Sequence, residues 1–297
     1  NLGTNNTTSG TSPTLIFTGA LTTGAYPAFY VAPVRIGLSS WSQIFAGSSH
    51  TMAIRTDNTL WAWGLGTSGQ LGNTATISRS SPVQVSIAST TAFNRISLGG
   101  SHTTALLNTS ALWVWGLNSS GQLGLNTTTN RSSPVQLSGA FAEVKSGETH
   151  TVALTPDGTL YVWGQNSLNQ LGNADTINRS SPVQIATNSL TTNAIYREIS
   201  SSLNNSVALN MTGDILGWGN STFVTGSSPI VVSASDAVNY TVSSPVQIGA
   251  SSWSQVSAGD NSSIGLQADG TVDTWGRNQF GQLGLNDTLN RSSPVQI

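Results

Sequence analysis

The chain has no cysteine among its 297 residues. Disulfides, thiolate catalysis and cysteine-based metal sites are therefore excluded. Charge is nearly as scarce. Asp, Glu, Lys and Arg together make up 7% of the residues, against about 25% in an average soluble domain. Ten basic residues stand against twelve acidic ones, for a net charge of −2. No basic run exists to neutralise phosphates, so nucleic acid is not an expected partner. No apolar stretch approaches the roughly 18 residues of a membrane span. The sequence also lacks a His-Glu-x-x-His helix, a Gly-x-Ser-x-Gly elbow and an Asp-x-Asp-x-Asp-Gly loop, so no familiar hydrolase or calcium motif is present. It starts at Asn1, with no initiator Met and no signal-like segment, and reads as a processed chain or a part of a longer one.

Ser, Thr, Asn, Gln and Gly fill the polar share instead, with nine Trp and 31 Gly. The weight of aromatics separates this chain from disordered sequences, and the glycines point to β-structure with tight turns. One phrase recurs. It runs from Trp41-Ser-Gln-Ile44 through Gly47-Ser-Ser-His50-Thr51 and Leu60-Trp-Ala-Trp63-Gly64 to Gly69-Gln-Leu-Gly72 and Ser81-Pro82-Val83. It returns over 93–137, 141–185, 196–248 and 253–297, the unit at 196–248 lacking the Gly-Gln-Leu-Gly turn. Prolines 33, 82, 134, 182, 245 and 294 mark a period of about 50 residues, longer than the common helical repeats.

Each unit alternates apolar and polar residues over short runs and shows no sustained helical period. Thr151-Val-Ala-Leu154 and Leu160-Tyr-Val-Trp163 flank Pro156-Asp157-Gly158, which predicts a hairpin with a positive φ at its turn. One such unit cannot bury its own apolar faces, whereas units stacked radially can. The expected fold is thus an all-β propeller with five complete units (37–85, 86–137, 138–185, 186–248, 249–297) after a partial unit at 1–36. Trp63, Trp115, Trp163, Trp218 and Trp275 share one register position, where they should pack between blades. The Gly after each permits close backbone approach or an unusual φ.

Trp-Gly, then Gly-Gln-Leu-Gly, then Ser-Pro-Val, with Gly-x-x-His-Thr upstream, resembles the regulator of chromosome condensation repeat family over residues 33–297. The resemblance implies four-stranded blades, usually seven in number. Members range from a nuclear exchange factor for a small GTPase to ubiquitin-ligase modules, a secreted β-lactamase inhibitor, and bacterial and phage proteins. The near-identical Asn-Arg-Ser-Ser-Pro-Val-Gln at 130–136, 178–184 and 290–296 is most similar to the bacterial, environmental and phage members. No functional residue carries over.

The three histidines, His50, His102 and His150, occupy one repeat position on three different blades. Asn205 and Ser262 hold the same position in the other two. A polar side chain bonding its own blade's backbone is the expected role, and no metal or other cofactor is expected. Asp157 and Asp269 read as turn residues. Asp175 and Asp287, and the recurrent Arg79, Arg131, Arg179 and Arg291, read as loop or cap residues. Asn-x-Ser/Thr sequons such as Asn118, Asn126, Asn130, Asn220 and Asn261 follow largely from repeat composition.

The residues that break the repeat are the candidate binding residues. A long leader carries Tyr26, Phe29 and Tyr30, and an insertion at 221–243 carries Phe223 and Tyr240. Such departures map to loops, often on the binding face; packing of each aromatic on its own blade is the competing role. The function expected from the sequence is non-enzymatic. It is a binding or structural propeller, secreted or exposed on a virion or cell surface, with a protein or glycan surface as its partner. An intracellular exchange factor or adaptor, and a secreted protein inhibitor, are the alternatives. Asn1-Leu2-Gly3 resembles the end of a Gly-Gln-Leu-Gly turn, so one half unit precedes five whole ones. That phase leads us to expect either self-assembly or further parts of the same polypeptide, with an irregular closure of a smaller ring as the other possibility.

Overall fold

The structure is a computed structural model that describes residues 40–87, 92–185, 194–220, 241–248, 252–259 and 262–297. No helix occurs among them. Twenty strands form five antiparallel four-stranded sheets, each with its strands in chain order. Blade one holds β1 (Trp41–Ala46), β2 (His50–Arg55), β3 (Leu60–Gly64) and β4 (Arg79–Val85). Blade two holds β5 (Phe93–Leu98), β6 (His102–Leu107), β7 (Leu112–Gly116) and β8 (Arg131–Leu137). Blade three holds β9 (Glu143–Ser146), β10 (His150–Leu154), β11 (Leu160–Gly164) and β12 (Arg179–Gln184). Blade four holds β13 (Tyr196–Ser201), β14 (Asn205–Asn210), β15 (Ile215–Asn220) and β16 (Thr241–Ile248). Blade five holds β17 (Trp253–Ala258), β18 (Ser262–Gln267), β19 (Val272–Gly276) and β20 (Arg291–Gln296).

The first strands of successive blades, β1, β5, β9, β13 and β17, lie against one another in order. The turns that follow them, in all five blades, border one shared cavity. The sheets therefore fan out from a common axis, with their first strands innermost. The apolar cores sit between the blades rather than within them. One cluster joins Met52, Leu60 and Val85 of blade one to Ile96 and Trp115 of blade two. Equivalent clusters join blades two and three, three and four, and four and five. This is how a unit that cannot bury its own faces becomes stable.

The Trp-Gly pair has a specific structural cause. In every blade the pairing of the third and fourth strands skips the tryptophan, passing from Val114 to Gly116 in blade two and from Val162 to Gly164 in blade three. The shift is a β-bulge whose glycine takes a positive φ, +103° at Gly116 and +106° at Gly164. The bulge frees the indole to reach the preceding blade. There its N–H donates to the carbonyl of the glutamine in the Gly-Gln-Leu-Gly turn (Asn-Gln-Leu-Gly in blade three): Trp115 to Gln70, Trp163 to Gln122 and Trp218 to Gln170, each at 2.9 Å. The ring lies flush on the last glycine of that turn. A Cβ on Gly124 would sit 2.9 Å from Trp163 Nε1, so only glycine fits beneath the indole. Blade five's Trp275 follows the unit that lacks this turn, and its buried Nε1 has no hydrogen-bond partner among the described residues.

Candidate functional site

The packing positions repeat; the innermost strands do not. From one blade to the next, the residue two places after the blade's first aromatic is Gln43, Arg95, Glu143, Glu198 and Gln255. Two residues further on stand Phe45, Ser97, Lys145, Ser200 and Ser257, and then Gly47, Gly99, Gly147, Ser202 and Gly259. Side chains two apart on a strand share a face, so the first two sets form two tiers, and the third set, in the turns just past the strands, forms a third tier at the mouth. The first two tiers border cavities of 490 Å³ and 380 Å³ that meet at Lys145. The third tier borders the 230 Å³ mouth. A chain with few charges thus places Arg95, Glu143, Lys145 and Glu198 together on one concave wall.

Glu143 is the buried anchor of that wall. Its Oε1 faces Arg95 Nη1 at 3.4 Å and Lys145 Nζ at 3.5 Å. Its Oε2 accepts the Ile199 N–H at 3.3 Å, which ties blade three to blade four. Burial, with Glu143 nearby, raises the Glu198 carboxyl above the usual carboxylate range. The hydroxyls in the second tier staple neighbouring blades: Ser97 Oγ accepts the Ser146 N–H at 2.8 Å, and Ser200 Oγ accepts the Ala258 N–H at 3.0 Å. Around the mouth, Gly100 N–H donates to Glu148 O and Glu148 N–H to Leu203 O, both at 3.0 Å. The wall is therefore a rigid scaffold carrying variable groups.

The histidines correct the sequence-based expectation. They bond not to their own blade's backbone but across each interface. His50 Nε2 meets Thr103 Oγ1 at 3.0 Å, His102 Nε2 meets Thr151 Oγ1 at 3.1 Å, and His150 Nε2 meets Ser206 Oγ at 2.9 Å. The Thr103 and Thr151 hydroxyls give their single proton to the Gln70 and Gln122 carbonyls. They must then accept from the imidazole, which fixes the Nε2–H tautomer at His50 and His102. Burial lowers His50 and His150 to about 4 and His102 to about 3, with neighbouring His150 and His50 adding to the fall at His102. Each imidazole serves a different interface, so the three do not converge on one ion.

The outer loops match the reading made from the sequence. Asp175 pairs with Arg179 and Asp287 with Arg291, each at 2.5 Å. Arg179 and Arg291 also donate to the Ile177 and Leu289 carbonyls. Asp157 and Asp269 accept N–H groups two residues on, as turn residues do. Asn118 is fully buried, with both side-chain polar atoms bonded to backbone; it cannot serve as a glycan acceptor, whereas Asn126 and Asn130 are exposed. Tyr26, Phe29, Tyr30, Phe223 and Tyr240 lie outside the described residues. Sequence reasoning missed the inner wall, although its signal was available: aligned repeats whose first strand changes chemistry from blade to blade while every packing position holds.

Comparison with known proteins gives a consistent picture. The regulator of chromosome condensation (RCC1) repeat model matches residues 57–106, 110–154, 157–209 and 269–297. A second model of the same repeat matches 41–70, 93–122, 141–170 and 253–282. The ultraviolet-B receptor UVR8 of Arabidopsis thaliana is 26% identical over 86% of this chain and 57% of its own length. The probable E3 ubiquitin-protein ligase HERC3 of Homo sapiens is 33% identical over 32% of this chain, but only 9% of that protein. The chain thus spans little more than half of the first relative and a small part of the second. Among solved structures, human WBSCR16 superposes with a TM-score of 0.74 at 22% identity, covering 89% of this chain and 68% of that one. Prp20p of Saccharomyces cerevisiae, described with its binding to Gsp1p and histones, gives 0.71 at 22% identity over 86% of this chain and 63% of its own. At this identity the structures establish the fold.

Proposed function

We propose, from the premise that this chain belongs to the RCC1 repeat family, that it is a non-enzymatic binding module whose inner wall receives a protein partner. The observation that carries this reading is the division of labour along each repeat. Positions that build the blades are nearly constant, while the wall gathers Arg95, Glu143, Lys145 and Glu198 from a charge-poor chain onto a hydrogen-bonded scaffold. Packing does not require such variation, whereas recognition of one specific partner does. The relatives support a protein as partner, since Prp20p is described with Gsp1p and histones. The test is site-specific photo-crosslinking in the native host. A photoreactive residue at Gln43 or Gln255 should capture one discrete protein, and one at Ile177 on the outer loops should not. Equal capture from both positions would refute the assignment.

A second reading, self-association, rests on a different observation. Val85, Leu137, Ile185 and Ile248 occupy one inter-blade position and are each 4% exposed, whereas Ile297 at that position is 60% exposed. Ile44 of blade one is likewise 73% exposed. A concentration series in the analytical ultracentrifuge tests it: a sedimentation coefficient independent of concentration counts against association. A setting outside a cell or on a virion surface is supported by the low charge, the lack of cysteine and the Asn-Arg-Ser-Ser-Pro-Val-Gln phrase, which is most similar to bacterial, environmental and phage members.

A further inference from the structure

The cations of the inner wall differ from those of the loops. Arg179 and Arg291 are closed on their aspartates at 2.5 Å and also bonded to backbone carbonyls. Arg95 and Lys145 share a single carboxylate oxygen at 3.4 and 3.5 Å, well beyond the roughly 2.7–2.9 Å of a close charge-assisted bond. Arg95 and Lys145 thus share one buried anion on this side of the wall, and Glu198 balances the second positive charge from the far side of Lys145. The two cationic side chains are 54% and 34% exposed, and both border the 490 Å³ cavity.

The rest of that cavity defines what can occupy it. Phe45 gives it an apolar part, and Gln43, Asn94 and Ser97 add amide and hydroxyl groups. Ser97 Oγ already accepts the Ser146 N–H, so its own proton remains for a ligand. Among the described residues, the acidic group nearest this cavity is Glu143 behind the two cations, which does not line it, and Glu198 borders the neighbouring cavity on the other side of Lys145. An anion is therefore favoured on the Phe45 side of Lys145 and opposed on the Glu198 side. The planar guanidinium of Arg95 suits a carboxylate, which has two oxygens to accept from it.

We infer that this cavity is a carboxylate subsite, in which Arg95, Lys145 and Ser97 hold the carboxylate of a protein partner and Phe45 packs against its apolar body. The inference rests on the protein-binding reading and names the chemistry that the wall selects. The test is titration of the full chain with three peptides, followed by calorimetry. Acetyl-Ala-Phe with a free terminus carries a terminal carboxylate, acetyl-Glu-Phe-amide a side-chain carboxylate, and acetyl-Ala-Phe-amide none. At least one carboxylate peptide should bind tenfold or more tightly than the neutral peptide, and which one does so identifies the source of the group. Arg95→Gln and Lys145→Gln should each weaken that binding at least fivefold, Lys145→Arg should restore most of it, and Glu198→Gln should not weaken it. Both cations are partly exposed, so the variants should fold, as unchanged circular dichroism would verify. Equal binding of the neutral peptide, or no effect of Arg95→Gln and Lys145→Gln, overturns the subsite. The peptides do not depend on the natural partner. Failure here with successful crosslinking at Gln43 removes only the subsite, and the reverse outcome removes only the protein-partner reading.

Discussion

Trp163→Phe and Trp275→Phe should cost different amounts of stability, and the difference isolates one hydrogen bond. Both indoles are fully buried. Both pack on the aromatic that opens their blade, Trp163 on Phe141 at 6.1 Å and 52°, Trp275 on Trp253 at 5.8 Å and 50°. Shrinking either ring to phenyl should therefore leave similar cavities and similar costs. The polar contribution differs. Trp163 Nε1 donates to Gln122 O at 2.9 Å, while Trp275 Nε1 is buried without a partner among the described residues. Trp163→Phe loses a bond whose net value is about 0.5–1.5 kcal/mol. Among the described residues, Trp275→Phe loses no bond and removes a buried donor that has no acceptor.

Trp163→Phe should thus be the more destabilising by about 1–2 kcal/mol. Trp115→Phe is the control and should behave like Trp163→Phe, because its indole makes the same bond to Gln70. Urea unfolding followed by far-UV circular dichroism measures all three. Repeat proteins can lose cooperativity along the array, so native-state hydrogen exchange in β11 and β19 should accompany the melts. If Trp275→Phe costs as much as Trp163→Phe, the indole-to-glutamine bond is not what holds neighbouring blades together.

Acid should destabilise the fold before most carboxylates titrate. The folded-state values of His50, His102 and His150 lie below the ordinary 6.5. Below that pH the unfolded chain binds protons that the folded chain refuses, so stability is full above about pH 6.5 and falls as pH drops toward 4. The slope is roughly 1.4 kcal/mol per pH unit for each histidine, or roughly 4 for the three; urea midpoints that stay flat between pH 6.5 and 5 would rule it out. Gly99→Ala should abolish folding of the blade two–three interface, because the new Cβ would lie 2.2 Å from His102 Cε1 and 2.6 Å from Gly147 O. Gly270→Ala has open space at φ +90° and should cost only the left-handed backbone penalty of about 1–2 kcal/mol, so comparable melting losses for the two would contradict the packing described. Asn166→Ala should cost about 2 kcal/mol, since it strips the Leu171 N–H and the Asp175 carbonyl of their partner, and the thermal midpoint is the readout.

The blades were legible because their cause is local. A Trp-Gly pair, an Asp-Gly turn and a Gln-Leu-Gly loop each demand a particular φ or a particular clearance, and the Trp-Gly pair in all five units with the Gln-Leu-Gly loop in four makes the demand unmistakable. The histidine bonds were not legible. Thr103 and Thr151 follow histidines of their own blades in sequence, yet each accepts from the histidine of the blade before. Which hydroxyl meets which imidazole depends on how far one blade is offset against the next, and no single repeat encodes that offset. The prediction of local backbone bonding was reasonable for one unit and wrong for an array.

The inner wall failed to stand out for a different reason. Attention to departures in length led to the leader and to the insertion at 221–243, where the chain visibly leaves its pattern. The wall departs only in chemistry, at positions whose strand geometry is unchanged. Gln43, Arg95, Glu143, Glu198 and Gln255 look like ordinary outward residues when each blade is read singly. Alignment of the blades puts them in one tier, and the fan of sheets brings that tier to the axis, where side chains from different blades can act on one ligand. A position that carries little of the blade packing and changes chemistry along the array is where a repeat protein can change partner without changing its fold. Arg95, Glu143 and Lys145 show the constraint that remains: Glu143 must stay bonded to Ile199 to hold blades three and four together, so it can orient the two cations but cannot close on either. Replacement of Glu143 by Gln should therefore weaken the blade three–four contact and loosen Arg95 and Lys145 together, a coupling that hydrogen exchange at Ile199 would detect and that independent surface charges would not produce.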